Sequence, residues 1–593
     1  MIKHRDIILL LIILIIAGFL RLYQITTIPP GLYPDEAMNG NNALEALRTG
    51  DFKVYYPENN GREGLFINIQ AIFLKIFGVN EPWVLRLPSA IFGILTVLGI
   101  YFLTKELFKD KILFYPKPRS PAERGEDDPP TGGHWSPACP AGRERSGLRE
   151  NEILALLAAL LLSTSFWHIN FSRIGFRAIM APLLLVWSLY FLLLAFRKLR
   201  SGSPFLLTTC YFLLSGIIFG LGFYTYIAYR VMPLLILAIL FYYWRKSKKE
   251  GPEAEPRSTT SWLRGRQARY GASWQKKFLI STFLFLISIF IIALPIGIYY
   301  LQNPADFFGR TTEISVFSSQ TPLKDLGVNI LKTAAMFNFI GDWNWRHNYA
   351  GRPELFWPVG IIFLIGIVIG IKKIRGSTKH EAPNPKQISN SNDQNPKQFR
   401  VLNLKNLNLF RNYDLGFIIL FLWLFLATLP VVVSNEGLPH ALRAILMLPP
   451  AIILAAVGGV WFYEAILTKL RNITKIQKVF LFSIFYFLFS IFIFEAYHTY
   501  FVLWAKNPNT YGAFGADYAE LGRKLNQLPR ETPKYIVIEA PGVLVRGIPM
   551  PAQTVMFITD TYTPENQQIK NIRYILREQE NSVPINSLKF YIK

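Results

Sequence analysis

Cysteine is nearly absent: the chain has two in 593 residues, Cys139 and Cys210. One lies in a polar stretch and the other inside an apolar run. No disulfide framework follows from them, and there is no CxxC or His/Cys cluster for a structural zinc. Charge is also sparse, at 17% of residues against 51% hydrophobic. Mean hydropathy is +0.26. A soluble chain of this length would divide into several domains and carry more charge. Acidic residues are few beside basic ones, 39 against 63, for a formal net charge of +24. Such an excess would suit nucleic acid or anionic lipid. No basic stripe on one folded face is present, however, which excludes nucleic acid as the partner.

What the sequence has instead is long unbroken apolar runs. A run of about 18 residues is enough to cross a bilayer as a helix. Hydropathy places about eleven spans near 7–23, 84–108, 152–167, 178–196, 205–223, 231–244, 278–300, 356–371, 415–433, 444–467 and 479–498. The first lacks a convincing cleavage site and reads as a retained span rather than a signal peptide. The stretch 65–79 is apolar but too short to span, which suits a helix lying in the interface. Aromatics, at 15%, fit two interfacial belts of Trp and Tyr.

The positive charge is distributed unevenly. With the N-terminus in the cytoplasm, the cytoplasmic segments are 1–6, 109–151, 197–204, 245–277, 372–414 and 468–478, and they hold 36 of the 63 Lys and Arg. The opposite loops 24–83 and 301–355 are balanced or slightly acidic. This orientation satisfies the positive-inside rule, and its reverse does not. It places the C-terminal part outside. Three cytoplasmic inserts, 116–149, 247–275 and 376–412, are too polar to bury a core and read as disordered.

After Tyr500 the composition changes. A helical spacing over 517–528 and short strand patterns at 534–539, 554–559 and 588–592 indicate a small α/β domain. The expected architecture is an all-α multi-pass membrane domain, 1–500, with its first outer loop at 24–83. A small extracytoplasmic α/β domain, 501–593, follows it.

The first outer loop carries the chemistry. Directly after the first span comes Pro29-Pro30-Gly31-Leu32-Tyr33-Pro34-Asp35-Glu36-Ala37-Met38-Asn39. Asp35 can cap a helix running from about Glu36 to Leu47 and ended by Gly50. Alternatively, one carboxylate serves as a general base or metal ligand at the membrane surface. Neighbours on a helix point about 100° apart, so only one of Asp35 and Glu36 would face a site, and Asp35 could share a face with Asn39. The loop continues through Gly61-Arg62-Glu63-Gly64 to Trp83-Val84-Leu85-Arg86-Leu87-Pro88-Ser89. Arg62 and Arg86 can each hold a phosphate in bidentate geometry or snorkel to headgroups.

Other outer edges are basic where the positive-inside rule disfavours it. His168, Arg173 and Arg177 follow the third span. Tyr226 and Arg230 follow the fifth. Trp343 and Trp345 lie in the segment from Gly341 to His347, and His440 and Arg443 precede the tenth span. Arginine kept on that side points to an anionic partner such as a lipid-linked phosphate. The tryptophans suit interfacial anchoring or stacking on a sugar.

The order of span, Asp-Glu loop, Gly-Arg-Glu-Gly, interfacial helix, Arg-Leu-Pro-Ser and span resembles glycosyltransferase family 39 and the protein O-mannosyltransferase-like enzymes of the GT-C fold. The stretches Trp167–Arg173, Gly222–Arg230 and His440–Arg443 look similar too, and the resemblance covers about residues 5–515 apart from the inserts. It implies transfer of a sugar, usually with inversion, from a polyprenyl-phosphate carrier to an acceptor at the outer face of a prokaryotic plasma membrane. The acceptor class, glycan, lipid or protein, stays open. Asp35 then resembles the catalytic carboxylate and Glu36 its partner. Arg62, Arg86, Arg173, Arg230, His440 and Arg443 would bind the donor phosphate. His168, Tyr226, Trp343 and Trp345 would contact substrate. Arg62 stands where related aminoarabinose and hexose transferases often carry Lys. Gly175-Phe176-Arg177 stands where many relatives have an acidic residue. No cofactor is implied with certainty; a divalent ion, if used, would be held by Asp35 or Glu36. The competing readings are a transporter or flippase of lipid-linked glycans and a non-catalytic anchoring protein.

Overall fold

The computed structural model describes residues 4–109, 140–249, 261–313, 315–379, 415–469, 483, 487 and 490–593. Fifteen helices are used below. The first six are α1 (His4–Leu22), α2 (Pro34–Thr49), α3 (Leu65–Phe77), α4 (Pro82–Leu107), α5 (Pro140–Ser163) and α6 (Phe166–Phe171). Next come α7 (Met180–Arg200), α8 (Phe205–Leu221), α9 (Pro233–Lys249), α10 (Ser261–Gln302), α11 (Pro304–Glu313) and α12 (Pro322–Ala335). The last three are α13 (Trp357–Lys379), α14 (Leu415–Val432) and α15 (Leu448–Lys469).

Among the described residues, eight helices are long and apolar enough to cross a membrane: α4, α7, α8, α9, α10, α13, α14 and α15. They coincide with eight of the expected spans. The other three expected spans differ for local reasons. In α1 the apolar run is bounded by Arg5, Asp6 and Arg21. The first half of α5 is polar. The stretch 479–498 lies only partly inside the described residues. The inserts read as disordered lie largely outside them. However, α5 and α10 begin inside two of those inserts, at Pro140 and Ser261. After Pro256 the chain is rich in helix formers and free of proline up to Pro295, so the helix of the span continues into it.

The helix bundle is apolar outside as well as inside. Along α1, Ile8, Leu11, Ile12, Ile15 and Phe19 are exposed while Leu10, Ile13, Ala17 and Leu20 are buried. Along α10, Phe283, Phe290 and Ile291 are exposed in the same way. A surface of this kind belongs to a protein solvated by hydrocarbon. Lipid tails give no hydrophobic drive to helix association, so close packing has to supply it. The contact of α13 with α15 is the clearest case. A Cβ built at Gly366 would lie 1.9 Å from the Leu454 carbonyl oxygen, and one at Gly458 would lie 1.9 Å from that of Ile362. The two backbones touch where glycine stands.

The C-terminal region holds a small sheet with helices, as the expected fold class has it. Strands β3 (Lys534–Ile538), β6 (Ile572–Leu576) and β7 (Leu588–Ile592) make a parallel sheet in the order β6-β3-β7. The numbering counts β1 (Tyr55–Tyr56) and β2 (Arg62–Glu63) in the first loop, and β4 (Leu544–Val545) and β5 (Ile548–Pro549), an antiparallel pair. One expectation is corrected: 554–559, read as a strand, is the helix Ala552–Thr559. All eight of its residues are buried, and a short run buried all round shows no period that separates helix from strand. This helix packs on α2. Phe557 fills the space a side chain at Gly40 would need, Asn41 Nδ2 donates to Gln553 Oε1 at 2.9 Å, and Thr554 Oγ1 donates to the Leu32 carbonyl at 2.8 Å. The rim adds the Arg48–Asp560 pair and Arg546 with Glu45 and Glu58.

Gly366→Ala should lower the thermal unfolding midpoint in detergent, since overpacking typically costs about 1–3 kcal/mol. Gly297→Ala on α10, where nothing lies within 4 Å of the added Cβ, should leave the midpoint in place.

Candidate functional site

The site is built on α2. Pro34 occupies its first turn, where a missing N–H costs nothing. Gly50 ends it in the left-handed conformation at φ 75°, with its N–H on the Ala46 carbonyl. The N-cap is Tyr33, which makes no side-chain cap. Asp35 therefore does not cap the helix. Its half-buried carboxylate turns away from the axis and accepts a 2.6 Å hydrogen bond from Asn59 Nδ2. Both carboxylates lie in the first turn, where the helix dipole favours them.

Glu36 points the other way and is fully buried. Arg86, at the start of α4, grips it with two bonds, Nε to Oε2 at 2.9 Å and Nη2 to Oε1 at 3.1 Å. The same guanidinium donates to the carbonyls of Pro29 at 2.7 Å and Gly31 at 3.0 Å. Glu36 Oε2 also accepts from the Gly175 N–H at 2.7 Å. This fork leaves Arg86 without an approach for a donor phosphate, and Glu36 without one for substrate or metal.

Above α2 hangs the hairpin β1–β2, turned through Asn59, Asn60 and Gly61, all at positive φ. It delivers Arg62 to the Asp35 face of the helix. Arg62 Nη1 donates to Asn39 Oδ1 at 2.7 Å and Nη2 to Asn42 Oδ1 at 2.6 Å. Its side chain is buried, and Nε has no hydrogen-bond partner among the described residues. Burial, then the neighbouring Arg177, lowers its pKa to about 10, so it stays charged at neutral pH. The next residue, Glu63, is buried and meets Arg177 Nε at 2.6 Å, with Arg230 Nη2 at 3.8 Å. Arg230 also donates to the Tyr300 hydroxyl at 2.8 Å and the Phe307 carbonyl at 3.0 Å. Tyr226 lies beside Arg177, 5.8 Å from its guanidinium carbon to the ring centre.

The loop 341–352 closes the other side. Arg346 lies over the Tyr33 ring at 3.8 Å. Burial and the nearby Asp35 carboxylate push the Tyr33 phenol up to about 12. It therefore stays protonated at neutral pH. Trp343, Trp345 and Arg346 line a pocket with Tyr33, Pro34 and Tyr518. Both tryptophans nominated from sequence thus stand next to the Asp35 turn.

Four other nominated residues sit elsewhere. His168 is buried, its Nδ1 2.7 Å from Arg21 Nη2. Because arginine only donates, His168 carries its proton on Nε2. Arg173 is buried and donates to the carbonyls of Leu20, Tyr23 and Ile28, tying off the end of α1. Arg443 is bound to Ser434 and to Glu436. His440 faces Asp342 rather than Asp35. These four contact groups of the chain other than Asp35. The residues missed from sequence are Asn59, Glu63, Arg346 and Tyr33. Each adjoins or lies within a segment already singled out, and the missing signal was which side chain turns inward.

A divalent ion at Asp35 does not fit this arrangement. Glu36 is neutralised by Arg86, and the groups nearest Asp35 are an amide N–H, a phenol and cationic Arg62 and Arg346.

A family model described as dolichyl-phosphate-mannose-protein mannosyltransferase matches residues 65–114. That stretch holds α3, the Arg-Leu-Pro-Ser segment and α4, part of what carries the resemblance noted above, and the two agree. No curated protein matches in sequence. Among solved structures, the chain is similar to ArnT from Cupriavidus metallidurans bound to undecaprenyl phosphate, at 12% identity, covering 96% of this chain and 89% of that one, TM-score 0.47. It is similar to the Archaeoglobus fulgidus oligosaccharyltransferase tethered with an acceptor peptide, at 13% identity and TM-score 0.45, covering 97% of this chain. The chain spans 64% of the length of that protein. The S. cerevisiae protein O-mannosyltransferase Pmt1-Pmt2 complex bound to the sugar donor matches at 14% identity over 51% of this chain and 33% of that one, TM-score 0.30. Likeness at this level transfers no residue roles.

Breaking the buried pair from one side, by Glu36→Gln or Arg86→Met, should destabilise the protein by about 3–5 kcal/mol. Replacing both, Glu36→Leu with Arg86→Met, should recover part of that loss. Unfolding midpoints of the two single variants and the double variant in detergent measure the coupling.

Proposed function

We propose that the chain is a membrane glycosyltransferase that moves a sugar from a polyprenyl-phosphate-linked donor to an acceptor at the extracytoplasmic face, with Asp35 as general base. The observation that carries this reading is the pairing of Arg62 with neutral amides. A buried guanidinium held by Asn39 and Asn42, with Nε without a hydrogen-bond partner among the described residues, is a positive charge kept available for an anion. It stands on the same helix face as a carboxylate that no arginine or lysine neutralises within 4 Å among the described residues. A base and an anion site side by side are what sugar transfer from a phosphate carrier requires.

The acceptor hydroxyl gives its proton to Asp35 as its oxygen bonds to the anomeric carbon. The bond from that carbon to the phosphate oxygen breaks, and its electron pair leaves with the lipid phosphate. Proton removal by a placed carboxylate is worth about 10²–10⁴-fold. Arg62, with Arg177 and Arg230 behind it, balances the charge that grows on the departing phosphate. Attack opposite the leaving group inverts the anomeric centre. The pocket of Trp343, Trp345 and Tyr33 reaches Pro34, the residue before Asp35, and suits the incoming acceptor.

The loops at 24–83, 341–352 and 434–443 and the domain 501–593 gather at one end of the bundle. The lysine- and arginine-rich segments between spans mark the other end as cytoplasmic. The N-terminus then lies in the cytoplasm of a plasma-membrane protein and the site faces out. A transporter would instead place such groups near the bilayer midplane.

Purified protein in lipid nanodiscs, given polyprenyl-phosphate hexose, should release or transfer sugar as wild type and not as Asp35→Asn. Binding of polyprenyl phosphate should survive Asp35→Asn. In Arg62→Gln it should weaken about 10- to 100-fold, the range for a lost hydrogen bond to a charged group. Near-normal turnover by Asp35→Asn would remove the assigned base.

A further inference from the structure

The reading above leaves one group of side chains without a role. Asp342 and His347 lie in the loop after α12, and His440 lies in the connection between α14 and α15. Asp342 Oδ2 is 2.9 Å from His347 Nδ1 and 4.0 Å from His440 Nδ1. One ligand atom from each residue falls within 4.8 Å of the other two. The imidazole rings face each other at 4.9 Å, tilted by 31°. We propose that Asp342, His347 and His440 bind a divalent transition-metal ion of the zinc type, which staples the 341–352 loop to the α14–α15 connection.

The spacing suits the ion. Bonds of about 2.0–2.1 Å at a tetrahedral angle set ligand atoms about 3.3 Å apart. The observed 2.9 and 4.0 Å lie on either side of that value. Two imidazoles with one carboxylate favour zinc and its neighbours over calcium or magnesium, which prefer oxygen alone. The carboxylate is already aimed. Its Oδ1 accepts from the Asn344 N–H and its Oδ2 from the Ala441 N–H, both at 2.8 Å, and the Asp342 N–H is held by Glu354 Oε1 at 3.0 Å. Outer partners of this kind orient a metal ligand. The side chains of Asp342 and His347 are 4% and 7% exposed, whereas His440 is 14% exposed. The opening for a fourth ligand is therefore on the His440 side.

A plain Asp–His hydrogen bond accounts for the 2.9 Å contact. A second histidine, from a segment about 90 residues further along, has its Nδ1 3.4 Å from the Arg443 N–H and brings that nitrogen to 4.0 Å from the same carboxylate oxygen, which a single Asp–His bond does not require. The loop so fixed also carries Arg346 over Tyr33, so the ion would set the wall of the pocket without touching Asp35.

The test uses full-length protein in nanodiscs, stripped with chelator and titrated with Co²⁺ and then Zn²⁺. The expected result is one Co²⁺ per chain with the visible absorption of a tetrahedral nitrogen and oxygen site, displaced by Zn²⁺, and a higher unfolding midpoint with Zn²⁺ bound. His440→Asn should lose affinity by more than the about 10–100-fold that an outer partner is worth. Asp35→Asn should bind as wild type does. No stoichiometric binding at micromolar metal would overturn the proposal, as would equal binding by wild type, His347→Asn and His440→Asn. An ion lost in Asp35→Asn but kept in His440→Asn would overturn it by placing the metal at the other site. All readouts are of binding, so they stand apart from the outcome of the sugar-transfer assay.

Discussion

The buried pair of Glu36 and Arg86 is the constraint on which the outer end of this protein depends. Five backbone and side-chain groups from four parts of the chain meet there: α2, α4, the Pro29–Gly31 turn and Gly175 after α6. Removing two charges from water is costly and is offset only when every lone pair and proton finds a partner. Here the partners are backbone groups that themselves need satisfying. The pair therefore fixes the angle at which α2 leaves the membrane domain. The direction of Asp35, one residue earlier and about 100° around the helix, follows from that angle.

The arginines at this end divide by what they hold. Arg21, Arg86 and Arg173 are buried and give their donors to carbonyls, a carboxylate or a histidine of the chain itself. They act as internal struts where a helix end or a turn would leave oxygens unpaired. Arg177 and Arg230 share Glu63 and form a half-compensated layer. Arg62, like Arg173, donates to neutral amide oxygens, in its case those of the Asn39 and Asn42 side chains. The net positive field that follows is local, and it acts on the nearby Asp35 carboxylate.

Much of this was legible in the residues, and its limits were physical. Long apolar runs located eight of the spans because hydrocarbon tolerates little else. The Asp35–Glu36 pair stood out because two adjacent carboxylates follow directly on a span, whereas Arg62 and the two tryptophans could be read as functional or as interfacial anchors. What sequence could not supply was the partner of each charge. Arg86 looked like a phosphate ligand because Glu36 lies 50 positions away, with nothing local to link them. Arg173 and His168 looked functional for the same reason, and their partners on or just after α1 are about 150 positions earlier. The helix Ala552–Thr559 was misread as a strand because burial on all sides erases periodicity. Asp342 passed unnoticed because His440 comes from another loop.

The contact of that same helix with α2 has a consequence for how the protein is made. Residues 552–559 form the outer wall of a helix that emerges some 500 residues before them during translation. Until they arrive on the same side of the membrane, Met38, Gly40 and Asn41 face water or whatever guards the nascent chain. The carboxylate turn is then supported from below only. Assembly therefore has a built-in order: insertion first, closure last, with α2 unable to settle until almost all of this sequence has been delivered.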